Sequence, residues 1–169
     1  MKGPPGERTY LIALGSNVRH PRHGSPRRVL AAALQAMEDK SIRVVAAAPA
    51  VISRPIGPSQ RDYANSVAVV ESERAPLRLL EALKAIERRF GRQSQGARWG
   101  ARVLDLDIVL WGGGMFADKT LTIPHPHFRD RRFVLAPATA IAGDWRDPVT
   151  GLTVRQLFAR LTRANRVLR

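Results

Sequence analysis

The sequence predicts an α+β protein with a ferredoxin-like split βαβ core, an antiparallel-rich sheet and helices packed against it. Three observations point there. Apolar runs of strand length alternate with segments of helical period in the order strand, helix, strand, strand, helix, strand. Proline or glycine stands at most of the joins between them. The chain has 169 residues, 44% of them hydrophobic and 25% charged, the size and balance of one globular unit, so 1–169 is expected to form a single domain with residues 1–8 as a flexible lead.

The elements follow in order. Thr9 to Leu14 is an apolar run stopped by Gly15-Ser16-Asn17, the pattern of a buried strand ending in a turn. After a basic loop, Ser25-Pro26 supplies an N-cap and a first-turn proline, and Val29, Leu30, Ala33, Leu34 and Met37 recur at helical spacing. Arg43 to Ala48 predicts a second strand and Asn65 to Glu71 a third, with Pro55, Gly57 and Pro58 in the loop between them. Pro76 opens a second helix with Leu79, Leu80, Leu83, Ile86 and Phe90 on one face, and Gly91 stands where a left-handed C-terminal cap belongs. Val103 to Trp111 is the fourth strand. Gly112-Gly113-Gly114 then reads as a turn, Pro124 to His127 as a loop, and Val154, Leu157, Phe158 and Leu161 as a last short helix. In this arrangement the helices cover one sheet face and the other is free for ligands.

Composition removes several classes of function. There is no cysteine, which excludes disulfides, thiolate zinc sites and a cysteine nucleophile and suits a reducing, cytoplasmic setting. The first residues lack a signal-like apolar stretch and no segment is apolar for long enough to span a bilayer, so no membrane partner is expected. With 28 Lys+Arg against 14 Asp+Glu the formal charge is +14. Such a field attracts nucleic acid, acidic membranes or nucleotide polyphosphates alike, and arginines that simply solvate the surface produce it too.

The segment Arg98-Trp99-Gly100-Ala101-Arg102-Val103-Leu104-Asp105-Leu106-Asp107-Ile108-Val109-Leu110 narrows the choice. On a strand, Leu104, Leu106, Ile108 and Leu110 share one face and Asp105 and Asp107 the other. Two like charges so close repel unless a cation holds both ionised, and hard carboxylate oxygens suit Mg²⁺ completed by substrate phosphates. The alternative is a structural role in which the aspartates pair with Arg98 and Arg102. Arg92, Arg98 and Arg102, with Trp99 and three glycines, form a loop able to clamp phosphate oxygens, or a solvated basic loop. An RNA-binding module, suggested by charge and topology, would need an aromatic-rich strand of the Lys/Arg-Gly-Phe/Tyr type, which the sequence lacks, so nucleic acid is not the expected partner. His125-x-His127 invites a zinc reading, but no cysteine accompanies it and Pro126 spaces the pair in a loop.

With these motifs in place, the sequence resembles the 6-hydroxymethyl-7,8-dihydropterin pyrophosphokinase family. Its pattern Arg-Trp-Gly-x-Arg-x-x-Asp-x-Asp fits Arg98 to Asp107. Ala13 to Asn17, Pro55 to Pro58 with Asp62-Tyr63-x-Asn65, Glu87 with Gly91-Arg92, Leu121 to Pro126, and Arg131-x-Phe133-Val134-Leu135-x-Pro137 agree in order. The resemblance implies an ATP- and Mg²⁺-dependent diphosphokinase that moves pyrophosphate from ATP to the pterin hydroxymethyl group and releases AMP, in folate biosynthesis. It implies two Mg²⁺ ions on Asp105 and Asp107, with Arg92 and Arg102 on the phosphates. Leu80, Arg98, Ile108, Leu121, Thr122, His125 and Arg131 fall on the nucleotide side. Ser53, Ile56, Tyr63, Asn65, Trp99 and Phe133 fall on the pterin side, Tyr63 and Phe133 sandwiching the ring and Trp99 sealing the site. A monomer is expected. The sequence departs from the family at Ser94-Gln95, where basic residues are usual, at Ser53-Arg54-Pro55-Ile56, and in a longer first loop over Arg19 to Ser25.

Overall fold

The computed structural model describes residues 5–54, 61–91 and 103–167, with side chains through residue 163. In chain order the elements are β1 (Thr9–Ser16), α1 (Pro26–Glu38), β2 (Arg43–Ala47), β3 (Val51–Ser53), β4 (Tyr63–Glu71), α2 (Pro76–Arg89) and β5 (Asp105–Trp111). A small hairpin of β6 (Phe116–Ala117) and β7 (Thr122–Ile123) follows, then a 3₁₀ turn (Phe128–Asp130), α3 (Arg132–Ala142) and α4 (Val154–Val167).

The sheet runs β2-β4-β1-β5, with β3 also paired to β4, and every pairing is antiparallel. Helices α1 and α2 therefore each join two strands that have a third between them, which is the split βαβ arrangement the sequence predicts. On α1, Val29, Leu30, Ala33 and Met37 are buried, and on α2, Leu79, Leu83 and Ile86. They pack on Tyr10, Ile12, Leu14, Ala68, Val70, Leu106 and Ile108 to form a first core. Both helices open with proline at the first turn. At the end of α2 the Gly91 amide donates to the Arg88 carbonyl at 3.0 Å with φ of +89°, a conformation that costs a side-chain-bearing residue more than glycine.

The second face of the sheet is not left open. Leu11, Val67, Val69 and Val109 point into another core, closed by Phe128, Val134, Leu135, Ala138, Trp145, Val154 and Leu157. Helix α3, which brings part of this layer and has Pro137 inside it, is absent from the sequence-based prediction. Proline lacks the N–H that would bond one turn back, yet buried Val134, Leu135, Ala138 and Ala142 carry the helix through. A second difference lies in β5. The register with β1 shifts between Leu11 and Ile12, so that Ile12 faces Ile108 while Leu11 faces Leu110, leaving Val109 as an extra residue. Leu104, Leu106 and Ile108 stay in the first core as predicted, but beyond the bulge Leu110 joins the second.

Residues ahead of β1 are tied to the sheet's end: Glu7 accepts a bond from the Trp111 indole at 2.6 Å, and Arg8 accepts one from the Ser72 amide at 2.9 Å. Among the described residues no helix is long and apolar enough to cross a membrane.

Candidate active site

The central position of β1 builds the site. Gly15 pairs with Asn65 on one side and Asp105 on the other, and Ala13 with Val67 and Asp107. Paired residues point to the same side of a sheet, so Asn65, Asp105 and Asp107 stand on the face of the second core with only glycine and alanine between the strands that carry them. A Cβ on Gly15 would lie 3.5 Å from Asn65 Oδ1 and 4.0 Å from the Tyr63 ring, within ordinary contact. Its absence keeps the floor of a cavity low.

That cavity holds about 540 Å³, within the range of small-molecule sites. Ser53, Tyr63, Asn65, Asp105, Asp107, Arg131 and Phe133, all chosen from the sequence, line it together. Asn65 Nδ2 donates to Ser53 Oγ at 2.6 Å, which fixes the orientation of an amide that is only 6% exposed. The strand bearing the two aspartates lies at the sheet's edge, where unpaired backbone groups need partners. Helix α2 supplies them: Leu106 N–H donates to Glu87 Oε1 at 2.7 Å, and Lys84 Nζ donates to Leu106 O at 3.3 Å and pairs with Glu87 at 2.8 Å. The residue between Asp105 and Asp107 is thus clamped on both its backbone groups.

The other predicted residues fall elsewhere. Ile108 and Leu121 are buried in the first core and Leu80 packs against it, while Thr122 is exposed on β7. His125 is hung on β5 through its amide, which donates to Val109 O at 3.0 Å. None of these five lines the cavity. Ile56, Arg92, Arg98, Trp99 and Arg102 lie outside the described residues.

The cavity also includes Arg54, Ser66, His127 and Asp130, which sequence reasoning did not assign to a site. His127 follows His125 in the same proline-spaced loop and Asp130 adjoins Arg131, so proximity to those two was the available signal.

Burial pushes the His125 imidazole down to about 4; Arg131 and then His127 push the same way, with Asp105 opposing. Its Nδ1 accepts the His127 amide at 3.1 Å, so the neutral ring carries its proton on Nε2. The unfolded chain protonates this histidine near 6.5 and the folded chain only near 4, so protonation favours unfolding as pH falls between those values. From about pH 7.5 to about pH 5, wild type is expected to lose roughly 2 kcal/mol more unfolding free energy than His125→Asn. Urea titrations of both at the two pH values check this, and parallel losses would contradict it.

Among the described residues no group of three or more His, Cys, Asp or Glu side chains could hold a metal. The Asp105–Asp107 pair offers hard oxygens that would leave most positions of a cation to water and phosphate, as Mg²⁺ prefers.

A carboxylate pair, the arginines Arg54 and Arg131 and two aromatic rings surround one cavity on a ferredoxin-like sheet. The family model described as 7,8-dihydro-6-hydroxymethylpterin-pyrophosphokinase (HPPK) matches residues 11–143. The chain belongs to this family, whose members transfer pyrophosphate. It is 44% identical to the 2-amino-4-hydroxy-6-hydroxymethyldihydropteridine pyrophosphokinase of Pseudomonas aeruginosa over 84% of this chain and 85% of that protein. The protein of the same name from Haemophilus influenzae is 43% identical over 80% and 82%. Among solved structures, wild-type HPPK-DHPS of Plasmodium falciparum matches 90% of this chain with a TM-score of 0.67 at 13% identity. An HPPK-DHPS solved in complex with substrates matches 92% with a TM-score of 0.68, also at 13%. The chain spans 40% and 44% of those two longer chains, which share its fold.

Proposed function

We propose that this protein transfers the β,γ-pyrophosphoryl group of ATP to the hydroxymethyl oxygen of 6-hydroxymethyl-7,8-dihydropterin, giving the pterin diphosphate and AMP in folate biosynthesis. Family membership supports the reaction. The observation that carries the residue assignment is that Asp105 and Asp107 share one cavity with Tyr63, Asn65, Phe133 and Arg131.

Asp105 and Asp107 would hold two Mg²⁺ ions, which when bound neutralise the triphosphate and favour departure of AMP. The protein's own part is positioning. Tyr63 and Phe133 stack on the flat pterin, each face worth about 1 kcal/mol beyond buried area. Asn65, held by Ser53, presents its amide to the pterin edge. Arg131 offers a permanent cation to the phosphates, and His125, neutral at physiological pH, offers an Nε2–H donor. Arg92, Arg98 and Arg102 complete the phosphate clamp, Trp99 and Ile56 close the pterin side, and Thr122 contacts the nucleotide. Leu80, Ile108 and Leu121 cluster around the first core, where Ile108 and Leu121 are buried and Leu80 is the one left partly open for an apolar contact to adenine. The new O–P bond forms at the β-phosphorus while the α,β-bridging oxygen leaves with AMP. The enzyme acts as a cytoplasmic monomer with small-molecule substrates.

The test is to incubate the protein with ATP, Mg²⁺ and the pterin alcohol and follow AMP. Pterin-dependent AMP in a molar ratio of one to the pterin diphosphate is expected; ADP as the nucleotide product, or no turnover, refutes the assignment.

A further inference from the structure

The segment that brings His127, Asp130 and Arg131 to the cavity is bonded firmly at its ends, through His125 N to Val109 O and through Val134 N and Leu135 N to Arg131 O, all at 3.0 Å, and loosely in between. Across the 3₁₀ turn the bonds are long, 3.4 Å from Asp130 N to His127 O and 3.3 Å from Arg131 N to Phe128 O. Two side chains anchor it instead. Phe128 is 1% exposed in the second core. Arg129 forks onto Asp147, with Nε to Oδ2 and Nη2 to Oδ1 both at 2.7 Å.

Asp147 is fully buried, and its carboxylate also accepts the Val149 amide at 3.1 Å and the Thr150 hydroxyl at 2.6 Å. The loop that carries it is closed by bonds from Asp147 N to Leu152 O at 2.9 Å and from Gly151 N to Asp147 O at 2.8 Å. This loop joins α3 to α4, and it lies beyond residue 143, where the family match ends.

We propose that Arg129 and Asp147 are positioning residues, a fork onto a buried carboxylate that sets the place of His127, Asp130 and Arg131 at the cavity and makes the C-terminal segment part of the site. The proposal rests on the nucleotide-binding reading given above. A buried ion pair is a poor source of net stability, because well-packed apolar residues of similar volume often replace one without loss. What a bidentate pair supplies that apolar contact does not is a fixed plane and distance. Here that geometry acts on a residue within two positions of three cavity-lining residues, so a shift of Arg129 is passed along the turn toward them. Errors of an ångström at such groups are costly to turnover.

The experiment compares wild type with Arg129→Met/Asp147→Leu and with Arg129→Lys, which keeps the charge but loses the fork. Thermal midpoints, kcat, KM for each substrate and calorimetric affinity for a magnesium complex of a non-hydrolysable ATP analogue are measured. The apolar pair loses the bonds that Asp147 accepts from Val149 and Thr150 and is expected to melt below wild type; measured well below its midpoint, it is expected to bind the analogue about tenfold more weakly, with Arg129→Lys in between. A folded apolar variant with wild-type analogue affinity and KM values overturns the proposal. If that variant does not fold, Arg129→Lys decides: weaker analogue binding supports the fork, and unchanged binding and KM overturn it. Wild type that forms no AMP would refute the reaction, whereas analogue binding reads the fork separately.

Discussion

Replacing either Asp105 or Asp107 by alanine is expected to lower AMP formation about a thousandfold or more. The proposed reaction places its cations on these two carboxylates, and in phosphoryl-type transfer charge neutralisation is the larger part of catalysis. Asparagine at either position keeps the shape and loses the charge, so it should fail nearly as badly. Both side chains line a cavity rather than a core, and the fold should survive their removal. Single-turnover assays over a range of Mg²⁺ concentrations provide the check. A variant within tenfold of wild type, with the same metal dependence, would remove the carboxylate pair from the chemistry.

Leu106, between those aspartates, should behave in the opposite way. It is 0% exposed and packs in the first core against the helices. Leu106→Ala should cost about 3 kcal/mol, from lost burial and the cavity left behind. For a domain of this size that lowers Tm by roughly 10 °C. Urea unfolding measures the loss, and below its new midpoint the variant should still bind nucleotide, because its two neighbours keep their face. A cost under about 1 kcal/mol would mean that this side of β5 is not core. One strand therefore carries stability on one side and chemistry on the other, and single substitutions separate the two.

The alternation that separates them was visible before any coordinates, since side chains on a strand point to opposite faces every second residue. It failed at Leu110, where a bulge adds Val109 to one strand of the pair. A bulge depends on how two strands settle against each other, and a single strand's pattern does not reveal it. Helix α3 went unrecognised: a proline inside a segment argues against a helix locally, yet burial of four apolar side chains outweighs that cost. The split βαβ order led to the expectation of an open sheet face, which α3 and α4 cover in part.

Sequence by itself determined the split βαβ order of the core and the acidic pair on one face of its strand, both of which follow from local periodicity. The aromatic, amide and arginine residues that meet around the cavity came from the family resemblance, whose motifs the sequence carries. Tertiary structure alone decided that Gly15 and Ala13 form the floor between Asn65 and the aspartates, and that Glu87 and Lys84 clamp Leu106 from a helix. It also decided that Asp147 reaches Arg129 across 18 positions. Such contacts join residues far apart in the chain, and their partners are selected by packing in three dimensions, which no local pattern encodes.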